Sequence, residues 1–355
     1  IVSWTEEAES AEDFDGGNAE IQTSEEALVF HSLVDRAVTN EIETLAHHRV
    51  DFASFSSEST FRQITLLTSL FLRGKGTSVH YDELIGALAV NMRNPYISSI
   101  HVLMEVAANH DSACEELHTM FGQVSQSALR KVVCEPVQRQ PTYHDFFAYA
   151  NTTLSNTPVL LANTDIVFDA SLSLINLKNL ANGTMGYVLS VMPPPYAGEY
   201  HKLFGKECDT PPRCTVGEFD GWKFGGNGWD AYLFHPPLPA MDSSYLDHFM
   251  NLMGAENRAG YQLEVTAGVA LFNPCKHVHA FHWHCIGGSM HHTEAWTDSD
   301  GKESKNLHDL LPCWDCPGID YPVGHSPSAL LCQRGTRQAI KLEKLKTLFQ
   351  KPSHA

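Results

Sequence analysis

The residues with the clearest capacity for chemistry are an amide and a carboxylate, Asn163 and Asp165, separated by one threonine. They lie between two apolar runs, 159–162 and 166–168. Such runs predict strands buried on both faces, and open α/β sheets bind ligands just beyond the carboxyl ends of their strands. Two oxygen ligands at that point suit Mg²⁺ or Mn²⁺ holding a diphosphate. From this stretch alone, an Asx turn between two strands is an equally open alternative.

A second cluster lies downstream, where four histidines fall within eight residues, at positions 277, 279, 282 and 284. If this segment is a strand, alternation places His282 and His284 on one face, where a histidine would complete a metal site begun by Asp165. The alternative is a local zinc site that combines these histidines with nearby cysteines, such as Cys313-x-x-Cys316. A zinc hydrolase is disfavoured because the sequence has no H-E-x-x-H motif.

A third candidate is Glu256, which comes just before a predicted helix over 259–267. A carboxylate is favoured at the head of a helix by the helix dipole, so this position suits a functional acid. An acid in the first turn that only stabilises the helix is the alternative.

The elements that must position these residues alternate regularly. Strands are predicted at 64–72, 97–104, 131–134 and 159–162, and helices at 81–92, 114–124 and 143–154, with a further short helix over 172–180. Strands joined by helical crossovers indicate a parallel, doubly wound sheet. No glycine-rich phosphate loop follows the first strand, which disfavours a dinucleotide oxidoreductase or a P-loop ATPase.

The composition restricts partners and compartment. The 355 residues include 24 Lys and Arg against 42 Asp and Glu, and this net charge of -18 argues against nucleic acid as a partner. No apolar stretch reaches the roughly 18 residues of a membrane span. Nine cysteines, with Cys208 and Cys214 bracketing a loop as a disulfide would, and glycosylation triplets at Asn151 and Asn182 indicate the secretory pathway (Golgi lumen) or the extracellular space.

Together these motifs resemble those of GT-A fold glycosyltransferases, in particular little-characterised members whose metal motif reads Asn-Ser-Asp rather than Asp-x-Asp. The resemblance covers about residues 61–285. It is carried by Asn94-Pro95-Tyr96, Asn163 to Asp169, Trp229-Asp230, Gly254 to Arg258, Asn273-Pro274 and His282-Trp283-His284. It implies an α/β fold of the GT-A type, with a doubly wound, mainly parallel sheet flanked by helices and, beyond it, a loop-rich, disulfide-containing C-terminal extension.

The resemblance also implies a metal site. Asp165 matches the second acid of the family's motif, which binds Mn²⁺ or Mg²⁺ on the diphosphate of the nucleotide sugar. Asn163 would support it, at the cost of one negative charge relative to Asp-x-Asp. A histidine after the last strand would complete the site, and His284 is preferred over His282.

Four further residues match positions around the donor and the acceptor. Glu256 matches the catalytic base of inverting members, and Asp230 matches an acid that faces the donor sugar or the acceptor. Glu105, at the end of the second predicted strand, falls near the nucleoside. Arg258 belongs to the same Gly-Ala-Glu-Asn-Arg motif as Glu256 and is assigned to donor binding.

The sequence therefore predicts a metal-dependent glycosyltransferase that moves a sugar from a UDP- or GDP-sugar to a hydroxyl of a glycan or glycoprotein. The alternative is a secreted carbohydrate-binding or structural protein that keeps the fold but has lost turnover. The expected organisation is an acidic stem with an N-terminal helix (1–60), a catalytic domain (61–290), and a Cys- and Pro-rich extension ending in a basic helix (291–355).

Overall fold

A nine-stranded sheet forms the centre of the computed structural model. The structure describes residues 24–50, 64–71, 79–106, 113–121, 125–208, 216–219, 222–225, 229–239, 241, 243–250, 255–275, 277–285, 296–297 and 303–304. None of the helices in these ranges is both long and apolar enough to cross a membrane. The acidic segment 1–23, the cysteines at 313, 316 and 332, and the predicted basic helix lie outside the described residues.

The strands of the large sheet lie in the spatial order β3-β2-β1-β4-β9-β6-β11-β5, with β10 beside the first half of β6. Their bounds are β1 (Ile64–Phe71), β2 (Ile97–Glu105), β3 (Val132–Val137), β4 (Val159–Ala162), β5 (Ile166–Phe168), β6 (Met185–Met192), β9 (Trp229–Phe234), β10 (Ala270–Phe272) and β11 (Ala280–His282). Two separate pairs are β7 (Val216–Phe219) with β8 (Trp222–Gly225), and β12 (Trp296–Thr297) with β13 (Glu303–Ser304).

The sheet is mainly parallel. Strands β1 to β4 pair with one another in parallel, as do β10 and β11 with β6. Strand β9 runs antiparallel to both of its neighbours, and β5 runs antiparallel to β11. Strands β4 and β6 therefore point the same way, and the carboxyl ends of β1, β2, β4, β6 and β11 meet at one edge of the sheet.

Helices cover both faces of this sheet. They are α1 (Ser24–Val50), α2 (Val79–Arg93), α3 (Ala113–Met120), α4 (Gln126–Leu129), α5 (Tyr143–Thr153), α6 (Ala197–Phe204), α7 (Ser243–Leu246) and α8 (Ala255–Tyr261). Alternation along β4 shows the two layers, because Leu160 and Ala162 join the core under α2, α3 and α4, whereas Val159 and Leu161 join the core under α5, α7 and α8. The predicted α/β, doubly wound architecture is confirmed.

A third apolar cluster joins α1, α2 and α6. Phe30, Leu33 and Val34 of α1 are buried against Tyr200 of α6 and against Trp283, which follows β11. Helix α1 thus packs against elements of the 61–290 region.

Two predicted helices differ in detail. The segment 172–180 forms two 3₁₀ turns, Ala170–Leu174 and Leu177–Asn179, because the side chains of Asp169 and Asn176 each cap a new short turn. Helix α8 begins at Ala255, four residues before the predicted start, and continues into a π-helical turn, Gln262–Thr266. Glu256 therefore lies in the first turn of its helix.

The predicted Cys208–Cys214 disulfide is wrong. Cys208 is bonded to Cys285, which lies next to the histidine cluster, and Cys114 is bonded to Cys134. Cys275 is also disulfide-bonded, and none of the described cysteines is free. A loop bracketed by two cysteines is compatible with a disulfide, but it does not exclude a partner that the fold brings close from far along the chain.

Candidate metal and donor site

The Asn-x-Asp motif forms the turn between β4 and β5, at the edge where the parallel strands end. The backbone N–H of Ile166 donates to the carbonyl of Asn163 at 3.2 Å, which closes the turn. Thr164 fixes the turn to β1 by donating its hydroxyl hydrogen bond to the carbonyl of Ser69. The segment is therefore a backbone β-turn closed by the Asn163 carbonyl, and it places Asp165 beyond the carboxyl end of β4.

Strand β11 brings two histidines to this turn. It pairs antiparallel with β5, so that His282 lies opposite Ile166, and the N–H of Trp283 donates to the carbonyl of Asp165 at 2.7 Å. Alternation then points His282 and His284 to the same side, and their rings stack with centroids 5.3 Å apart.

Asp165, His282 and His284 form the group of potential metal ligands that the described residues contain. One ligand atom from each residue lies within 4.8 Å of the other two. The Nε2 atom of His282 is 3.0 Å from Oδ2 of Asp165, and Nδ1 of His284 is 4.0 Å from the same oxygen. His284 is 6% exposed, so the site is set into the protein and is not a surface cluster.

Two asparagines, Asn91 in α2 and Asn94 just after it, hold the strand next to Asp165 in place. Strand β5 is an edge strand, and its outer backbone groups are satisfied by side chains. The amide of Asn91 donates to the carbonyl of Ile166 at 2.7 Å and accepts from the N–H of Phe168 at 3.1 Å. Asn94 donates to the carbonyl of Phe168 at 2.8 Å. Because all these groups are buried, the two asparagines fix β5 and thereby the turn that carries Asp165.

The charges around His282 favour its protonated form. Burial by itself lowers the pKa of His282, but the charge and hydrogen bond of Asp165, together with the charges of Asp230 and Glu83, outweigh burial and raise it to about 9. The site is therefore strongly attractive to positive charge.

Asp230 and Glu256 border a buried pair of tyrosines. The N–H of Asn163 donates to the carbonyl of Asp230 at 3.4 Å, so Asp230 lies beside the motif turn at the start of β9. Tyr232 donates its hydroxyl hydrogen bond to the carbonyl of Glu256 at 2.5 Å. Burial, followed by the charges of Glu256 and Asp230, raises the pKa of Tyr143 well above its usual value. Both acids therefore lie close enough to the pair Tyr143 and Tyr232 to act on it electrostatically.

The other two predicted site residues have different surroundings. Arg258 is 2% exposed and its guanidinium lies 4.7 Å from the centre of the Tyr245 ring. Glu105 ends β2, paired with Phe71 on one side and Val137 on the other, at the same edge of the sheet as the motif turn.

The resemblance favours His284 as the metal ligand; the structure places both histidines in the cluster, with His282 nearer to Asp165 than His284. Alternation along β11 was the signal that both would face the same side. The local zinc alternative loses Cys285, whose sulfur is in a disulfide, and its other cysteines, 313 and 316, lie outside the described residues.

Comparison with known proteins gives the following. The sequence matches no established protein family and no curated protein. A mannosyltransferase from Pyrobaculum calidifontis in complex with GDP-Man and Mn²⁺ is similar in structure at 11% identity and a TM-score of 0.33, with 68% of each chain covered. HddC from Yersinia pseudotuberculosis is similar at 10% identity and a TM-score of 0.31, over 62% of this chain and 92% of its own.

A putative glucose-1-phosphate thymidylyltransferase from Bacillus anthracis is similar at 8% identity and a TM-score of 0.32, over 59% of this chain and 86% of its own. The fold and the site thus define an α/β protein with a cluster of potential metal ligands at the edge of the sheet where the parallel strands end.

Proposed function

We propose that this protein is a metal-dependent transferase that moves a sugar from a nucleotide-sugar donor, a UDP- or GDP-sugar, to a hydroxyl of a glycan or glycoprotein. The observation that carries the proposal is the meeting of Asp165, His282 and His284 beyond the carboxyl end of β4. Open α/β sheets bind their ligands at this edge, and a buried cation site there suits an anionic diphosphate.

The types of the three ligand residues narrow the choice of metal ion. One carboxylate and two imidazoles suit Mn²⁺ and other first-row transition metals, whereas Mg²⁺ prefers oxygen ligands and retains much of its water. Asp165, His282 and His284 would hold the ion, and Asn163 could add a neutral oxygen from the same turn. When bound, the metal supplies positive charge that offsets the charge of the leaving diphosphate.

The protein's own acids supply the proton chemistry. Glu256 is the proposed base that accepts the proton of the acceptor hydroxyl. Its backbone carbonyl is held by Tyr232, which fixes the first turn of α8. Asp230 is proposed to face the donor sugar or the acceptor, since it lies beside the motif turn and its charge acts on His282.

The proposed place of action is the secretory pathway or the extracellular space. Disulfides such as Cys114–Cys134 and Cys208–Cys285 persist in oxidising compartments. Residues 61–290 are proposed as the catalytic unit, with α1 packed on it. Glycans and glycoproteins are acceptors that such a compartment provides.

The experiment is a thermal-shift panel of UDP- and GDP-sugars with and without Mn²⁺, because a ligand that binds only the native state raises the melting temperature. An Mn²⁺-dependent shift with at least one donor is expected, and Asp165→Asn should abolish it. Asp169→Asn is the matched control, because Asp169 makes the equivalent pair with His279, at 3.0 Å, beyond the other end of β5. If no nucleotide sugar raises the melting temperature with Mn²⁺ present, the proposal is wrong.

A carbohydrate-binding protein without turnover is the second candidate, and the neutral Asn163 is the observation that favours it. The two candidates differ in donor hydrolysis. An enzyme slowly transfers the sugar to water, so UDP or GDP accumulates over hours, and this release should depend on Asp165. Glycan binding without any release of nucleotide would favour the second candidate.

A further inference from the structure

Helix α2 carries a buried acid that faces the segment following β11. Glu83 is 0% exposed, and its Oε1 atom accepts hydrogen bonds from the N–H of Cys285 at 2.7 Å and from the hydroxyl of Tyr196 at 3.0 Å. The ring of Tyr196 packs edge-on against Trp283 with centroids 5.4 Å apart. Glu83 therefore contacts the residues around His284 without belonging to the group Asp165, His282 and His284.

The backbone on each side of His284 is anchored. Before it, the N–H of Trp283 donates to the carbonyl of Asp165, and after it, the N–H of Cys285 donates to Glu83. The approach of α2 depends on Gly86, one turn beyond Glu83, since a Cβ atom there would come within 3.3 Å of the Trp283 ring. These contacts restrain the backbone around His284, and so they hold its ring near Asp165.

We infer that Glu83 is a positioning residue for the metal site: its hydrogen bond to Cys285 holds His284 in register with Asp165. This inference rests on the proposed function, because it assigns to the site a divalent cation. Outer-shell partners of this kind commonly change metal affinity by about 10- to 100-fold when they are altered. The carboxylate also adds negative charge close to His282.

Two substitutions separate position from charge. Glu83→Asp keeps the charge but withdraws the carboxylate by one methylene, beyond good hydrogen-bond reach of the Cys285 N–H. Glu83→Gln loses the charge but keeps an oxygen that can accept from Cys285 and Tyr196. If position matters most, Glu83→Asp weakens Mn²⁺ binding by about tenfold or more, and Glu83→Gln weakens it less.

Binding is measured by electron paramagnetic resonance of free Mn²⁺ with the full chain, together with the melting temperature of each metal-free variant. The spectrum of bound Co²⁺ reports ligand geometry, and Glu83→Asp should change it whereas Glu83→Gln should retain it. A merely structural role would lower the melting temperature without changing that spectrum. Glu41→Asp is the control, because Glu41 is an acid whose pKa is raised by burial and by the charge of Asp169, which lies beyond the other end of β5 from Asp165.

The outcomes are distinct. If the wild-type protein does not bind Mn²⁺, the proposed function fails and this inference fails with it. Two results overturn the inference alone, provided that the wild type binds Mn²⁺. One is an Mn²⁺ affinity of Glu83→Asp within twofold of the wild-type affinity. The other is an equal loss of Mn²⁺ affinity in Glu83→Gln and Glu83→Asp. The predicted order, with wild type and Glu41→Asp tightest and Glu83→Asp weakest, supports it.

Discussion

Proton and metal compete for His282, and this competition gives the sharpest prediction. The pKa of about 9 means that, in the metal-free protein at pH 7, roughly 99% of His282 is protonated. A histidine that binds a metal must be neutral, so binding of Mn²⁺ releases that proton. The proton is lost only as the pH rises through about 9, so metal affinity should rise throughout the neutral range.

The magnitude follows from one competing proton. Each pH unit well below 9 should weaken the apparent affinity for Mn²⁺ about tenfold, or about 1.4 kcal/mol, so the difference between pH 6 and pH 8 is about 100-fold. Isothermal titration calorimetry at pH 7.5, in two buffers that differ in ionisation enthalpy, counts the released protons directly. We expect about one proton for each Mn²⁺ bound.

The control is His201→Gln, which removes an exposed histidine paired with Glu207 and should leave the proton count unchanged. Imidazole NMR of the metal-free protein tests the same pKa without any metal. An affinity that does not change with pH, with a proton count near zero and a neutral His282 ring at pH 7, would refute the reasoning.

Three other predictions concern stability and modification. Burial and the neighbouring guanidinium of Arg258 lower the pKa of His248 to about 3. The free energy of unfolding should therefore fall by about 1.4 kcal/mol per pH unit as the pH drops from 6.5 toward 3. In urea unfolding, His248→Phe should lack this dependence on pH. Gly86→Ala should lower the free energy of unfolding by about 1–3 kcal/mol, since the added Cβ atom would lie 3.0 Å from Val34. Gly198→Ala, whose Cβ atom would have nothing within 4 Å, should leave the free energy of unfolding unchanged or raise it. Equal effects of the two substitutions in thermal unfolding would contradict this. Secretory expression should glycosylate the exposed Asn182 and not Asn151, whose Oδ1 atom accepts from the N–H of Leu238 at 2.8 Å; mass spectrometry after deglycosylation decides.

The sequence predicted the first half of the fold well because its signals are local. Apolar runs and helical spacing gave β1, β2, β4 and the crossover helices, and the abrupt end of the 159–162 run placed Asp165 beyond a strand. The antiparallel position of β9 was not predictable in this way, because a strand direction depends on a return path through an insert and leaves no periodic signal.

The site was predicted only as far as its residue types allowed. Alternation indicated that His282 and His284 face one side, but which ring lies nearer to Asp165 depends on the pairing of β5 with β11, across more than 100 residues. Glu83 gave no signal at all, because an acid within an amphipathic helix normally faces solvent. The Cys208–Cys285 pairing depends on the same long-range contacts.

The late position of β9 in the sequence also determines when the sheet can be completed during synthesis. Strand β4, whose four residues are all buried, leaves the ribosome about 70 residues before its neighbour β9 does. At about 5–20 residues per second, its apolar edge waits for several seconds without that neighbour. An unpaired apolar edge is a template for association with other chains. The pairing of β9 beside the motif turn therefore also covers an apolar strand edge that would otherwise be open to association with other chains.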